Sequence, residues 1–174
     1  LPTTRSELMA VKSLIQTVTV GAGGAASIEF TGIDGTGQDL VISWSLRNTT
    51  NNATGSLTIN GSDADRAWVI LYGTGNSSGT NAYTSSNISA MQVENADTAN
   101  TFSNGELYIS NYASSANKSM SVDSVTENNG TVAQSVLQAI SWAQTAAITS
   151  LGVNARSGNL AQYSTASLYK IKYD

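Results

Sequence analysis

Asp39-Leu40-Val41-Ile42-Ser43-Trp44-Ser45-Leu46-Arg47 is the stretch from which the rest of the chain is read. Leu40, Ile42, Trp44 and Leu46 fall on one side of an extended chain. Ser43, Ser45 and Arg47 fall on the other, with Val41 the one apolar residue among them. A repeat of two is what a strand produces, because successive side chains point to opposite faces. A helix would scatter the four large residues around its circumference. The segment therefore has one apolar and one polar face and belongs to a sheet packed on a second layer.

Composition agrees. Of 174 residues, 40% are hydrophobic, enough for one domain with its own core, and only 11% are charged. Ser, Thr, Asn and Gly carry the remaining polarity, which suits strands and tight turns better than helical surfaces. The chain has no cysteine and no histidine. Disulfides and thiolate chemistry are excluded, and so are the commonest general base and metal ligand. A net charge of −4 speaks against nucleic acid, which asks for clustered basic residues. No apolar run reaches the roughly 18–20 residues that cross a bilayer, and the first ten residues lack a signal-peptide core, so no membrane association is expected.

Strand candidates recur along the chain. Ser13–Val20 and Ala26–Thr31 flank Gly21-Ala22-Gly23-Gly24 and read as a hairpin. Leu57 and Ile59 precede the turn dipeptide Asn60-Gly61, and Ala67–Tyr72 is a further strand. Gly73–Asn81 has loop composition, and Ile88–Val93 reads as a short strand. Glu106–Ser110 and Met120–Ser124 form a second hairpin. Thr131–Gln144 has helical propensity, yet Val132, Val136, Ile140 and Trp142 share parity, so a strand is expected. Ala147–Val153 and Ser164–Tyr173 complete the set. The expected fold is all-β, an antiparallel, jelly-roll-like sandwich over residues 13–174. Residues 1–12 read as a short amphipathic arm: Thr4 and Glu7 have capping-box spacing, and Leu8, Val11 and Ile15 share a helical face.

Catalytic constellations are sparse. Serines have no His or Cys partner. The acids Asp63, Asp65, Glu94, Asp97, Glu106, Asp123 and Glu127 are thinly spread, and the close pairs read as turn residues bonding nearby backbone. Asn60, Ser62, Asp63 and Asp65 offer oxygens within six residues, but Arg66 competes for the carboxylates and no regular calcium loop is formed. Asn-X-Ser/Thr triplets at Asn48, Asn52, Asn60, Asn76, Asn87, Asn117 and Asn129 follow from composition. No catalytic residue, cofactor or metal is expected. Tyr72, Tyr83, Tyr112 and Tyr163 stand at loop borders, where they either close the core or present rings to a ligand such as a glycan.

One set of stretches carries a resemblance. It comprises Ile28-Glu29-Phe30-Thr31-Gly32-Ile33, Tyr72-Gly73-Thr74-Gly75, Glu106–Ser115, Glu127-Asn128-Asn129-Gly130, Ala147-Ile148-Thr149-Ser150 and Gln162–Tyr169. In this order they resemble small virion structural proteins of tailed bacteriophages, from about residue 13 to the end. The resemblance implies a part of the virion and brings no catalytic residues with it. Within that class the expectation is a capsid decoration (cement) protein, with Leu8, Met9, Val11 and Leu14 burying against the shell or a neighbouring copy. The implied partners are the major capsid protein or other virion proteins and further copies of the chain, a trimer being favoured. The alternative is a tail-fibre or tail-tip module contacting host glycans through Tyr72, Tyr83, Tyr112 and Tyr163.

Overall fold

The computed structural model describes residues 9–85, 87–88, 91–127 and 133–173. Among these the chain forms β1 (Ala10–Thr19), β2 (Ser27–Thr31), β3 (Asp39–Ser45), β4 (Gly55–Ile59), β5 (Arg66–Thr74) and β6 (Ser77–Tyr83). There follow β7 (Asn87–Ile88), β8 (Asn104–Ile109), β9 (Lys118–Glu127), β10 (Ala133–Trp142), β11 (Ser150–Ala155) and β12 (Thr165–Tyr173). They make two antiparallel sheets. The long one runs β1-β12-β3-β8-β9-β10-β5-β6 and the short one β2-β11-β4-β7. This is the expected all-β sandwich.

The opening stretch sits in the middle of it. Leu40, Ile42 and Trp44 of β3 are buried against the short sheet's Ile28, Phe30, Leu57 and Ile59. Each such side chain contributes about 1.5–3 kcal/mol on full burial. Val41 is buried on the opposite face, where Tyr108 and Tyr169 flank it in register. Gly105 lies beside Trp44, and a Cβ there would come within 2.4 Å of the indole, so only glycine lets the ring lie flat on β8. β10 is the strand that parity pointed to: Val136, Gln138, Ile140 and Trp142 face inward while alternate residues are exposed.

Five expectations change. Residues 10–12 and 15 belong to β1 and not to a helical face, because the segment pairs along its length with β12. Residues 1–8 of the arm, including Thr4, Glu7 and Leu8, lie outside the described residues. The runs either side of Gly21–Gly24 do not pair with each other: β1 joins the long sheet and β2 the short one, so this glycine turn carries the chain between layers. Gly73–Asn81 is mostly strand. β6 folds back on β5 around Gly75, whose φ of 59° needs no Cβ. An edge strand open to water can be built from Ser, Thr and Asn, which is why its composition reads as loop. Of the described residues in 88–93, Ile88 alone lies in a strand, β7, and residues 89 and 90 lie outside the described residues. Arg47 also departs from its polar-face reading. It is 8% exposed, and its guanidinium donates to the carbonyls of Asn95, Asp97, Thr98 and Thr101, pinning that loop.

Candidate functional site

β1 closes one edge of the long sheet, and among the described residues no strand pairs with its outer side. It presents Val11, Leu14 (57% exposed) and Ile15 to solvent, and Met9 (66%) immediately precedes it. Its register with β12 sets Val11 opposite Lys172 and Leu14 opposite Tyr169, so these two residues point to opposite faces of the sheet. A bulge between Leu14 and Gln16 adds one residue, and Ile15 occupies it. Met9, Val11 and Leu14 therefore form an apolar rim along an edge and not one stripe. Lys12 is the single charge in the strand. Its ammonium lies 4.6 Å from the Tyr169 ring centroid and 3.5 Å from Glu106. Long exposed edges are templates for pairing with another chain, and one lysine blunts this edge only locally.

The four tyrosines do not converge. Tyr112 is fully buried: its hydroxyl donates to the Asp34 carbonyl at 2.5 Å and accepts from the Gly37 N–H at 3.0 Å. That takes it out of any surface contact and makes it a clamp between the β2–β3 and β8–β9 connections. Tyr72 is half-buried over Gly79. Tyr83 is 57% exposed and leans on Trp68, with ring centroids 5.0 Å apart. Tyr163, 67% exposed with φ 71°, lies in the β11–β12 turn, where its N–H bonds Val20. Six strand spacings separate β12 from β6 in the sheet, so Tyr83 and Tyr163 stand on the order of 30 Å apart.

The acids are mostly tied into surface networks. Glu106 and Asp123 face each other across β8 and β9, and Glu106 accepts from Ser43 and Lys12. Glu94 accepts from the Ala53 N–H, and Glu127 from Thr98 and Thr101. Asp39 accepts from the hydroxyls of Tyr108 and Tyr173. Burial and that carboxylate hold the Tyr108 hydroxyl protonated well above the usual tyrosine range. Among the described residues no three His, Cys, Asp or Glu side chains converge as a metal site would need.

Two further cations are internal. Lys118, 1% exposed, donates to the carbonyls of Ser114, Ala116 and Ala146, and its ammonium lies 5.6 Å from the Trp142 centroid. Arg66, 5% exposed, has Nε and Nη1 without a partner. Burial lowers its pKa, against the opposing pull of Asp63 and Asp65.

One feature escaped the sequence reading. Val69 (54%), Leu71 (55%) and Leu137 (55%) are exposed side by side on the outer face of β5 and β10. The signal was present in Ala67-Trp68-Val69-Ile70-Leu71-Tyr72, which is apolar at every position: a strand with two apolar faces needs cover on both.

No family model, curated protein or solved structure matches the chain.

Proposed function

We propose that this chain is a structural component of a bacteriophage virion, a capsid decoration protein that attaches through the β1 edge and the arm leading into it. The class comes from the resemblance to small virion proteins of tailed phages. The mode of attachment rests on one observation, the open ten-residue edge of β1 with Met9, Val11, Leu14 and Ile15 exposed along it. Backbone pairing to such an edge supplies affinity, and flanking apolar side chains supply selectivity. Each side chain buried on docking adds about 1.5–3 kcal/mol before the cost of ordering, and a symmetric shell repeats a modest contact many times.

The test uses particles of the phage that encodes the chain. Quantitative mass spectrometry of purified virions is expected to count hundreds of copies. Particles assembled with the double variant Leu14→Lys, Ile15→Lys should lose them, while the isolated variant keeps its circular dichroism spectrum. A handful of copies per particle would place the chain in the tail and refute decoration. Full incorporation of the double variant would refute the edge.

A further inference from the structure

We propose that the outer face of β10, β5 and β6 is where two copies of this chain meet, related by a two-fold axis lying along the Val69–Ala139 row. The axis follows from how the strands align. Leu71 stands opposite Leu137, Val69 opposite Ala139, and Ala67 opposite Ser141, with Ala82 of β6 completing the Val69 row. Along the strands the face is thus a ridge of large side chains with small residues on either side. The hollow on one side, about 840 Å³, is bordered by Ala67, Ala139 and Ser141. The hollow on the other, about 430 Å³, is bordered by Gly73, Ser78 and Ser135.

A two-fold axis at the Val69 row sends each row to its mirror position on the second copy. Leu71 and Leu137, one row away at roughly 6.8 Å, then drop over the partner's Ala67 and Ser141. Ridge fills hollow, as facing sheets require when they pack about 10 Å apart. Charge selects the same occupant. The outward positions of β5 and β10 carry no charged residue, from Ala67 to Gly73 and from Ser135 to Ser141. Asp123 of β9 stands beside Leu137 on the same face, and the axis carries it over the partner's Ser119, so two copies of a chain of net charge −4 meet here without setting like charges together. The backbone groups of β5 and β10 are already spent on neighbours, so the contact is made by side chains alone. Three strands by four outward positions cover roughly 400 Å² of plane, about half of what each partner contributes to a standard stable interface. The dimer should therefore dissociate on dilution through the micromolar range. The β1 edge lies at the opposite end of the sheet, so this association is independent of attachment to a shell.

Sedimentation velocity of the isolated protein over about 1–200 µM tests it. The wild type should shift from monomer to dimer across that range. Leu137→Lys and, separately, Ser141→Asp should each weaken self-association by at least about tenfold, with unchanged circular dichroism and melting temperature, since both positions are exposed. Mixing the two variants should restore a heterodimer, because the two-fold axis brings position 137 of one copy over position 141 of the other. A wild type that stays monomeric overturns the proposal. So does association that survives Leu137→Lys, or a mixture that fails to recover.

Discussion

Replacing Lys118 by methionine tests whether a buried cation holds two loops of this fold together. Methionine keeps the aliphatic stem in the core and removes the ammonium. Four carbonyl oxygens then lose their donor: Ser114 at 2.9 Å, Ala116 at 2.6 Å, Ala146 at 3.0 Å and Gln144 at 3.5 Å. Hydrogen bonds from a charged donor contribute about 1.5–3 kcal/mol each, and a stranded carbonyl costs about 1–3 kcal/mol. Ala116, Gln144 and Ala146 are exposed residues whose carbonyls can rehydrate, so the penalty concentrates on Ser114. Against it stands relief from desolvating an ammonium that has no carboxylate within 4.0 Å among the described residues. The balance is a net loss of about 2 kcal/mol, or roughly 4–8 °C in melting temperature for a domain of this size.

A second readout separates the charge from the packing. Burial lowers the pKa of Lys118 from its ordinary 10.5. In the window between the folded value and 10.5 the unfolded chain binds the extra proton, so this group makes stability rise with pH. Lys118→Met should erase that rise. Thermal melts at neutral and alkaline pH measure both effects. A variant as stable as the wild type, with unchanged alkaline behaviour, would refute the idea that the ammonium ties the Ser114–Ala116 and Ala146 loops to β9.

Two other outcomes follow from the hydrogen bonds of Tyr112 and Asp34. Tyr112→Phe deletes the hydroxyl between the Asp34 carbonyl and the Gly37 N–H, and should cost about 1–2 kcal/mol in denaturant unfolding without changing the fold. Asp34 accepts from Thr36 and Lys170, which hold its carboxyl well below the ordinary 3.8, so its contribution is present above that value and is lost as pH falls below it. Asp34→Asn should therefore flatten the acid limb of a melting-temperature profile taken from neutral pH to about 2.5, and an unchanged limb would count against the pair.

How much of this was legible beforehand differs from residue to residue. Leu40, Ile42 and Trp44 announced a strand, and Val136, Ile140 and Trp142 outweighed the helical propensity around them, because alternation is a local property written in consecutive residues. The absence of His and Cys likewise narrowed the chemistry without any coordinates. Of the expected contact residues, Met9, Val11 and Leu14 are exposed, and Val11 and Leu14 lie on a strand edge, where they point to different faces. Tyr112 looked like its fellow tyrosines in sequence and proved to be core. β6 was hidden because an edge strand facing water needs no apolar residue to form.

What the tertiary structure alone decided is partnership. Strand pairing is made by backbone groups that every residue carries, so nothing local says that β1 joins β12 across the length of the chain or that β2 leaves for the other layer. The same holds for the buried cations. Arg47 and Lys118 are ordinary polar letters until distant loops bring carbonyl oxygens to their charged ends. Side-chain periodicity sets which elements exist. Which face of a doubly apolar strand such as β5 is left uncovered is settled only when the second sheet proves to be half the width of the first.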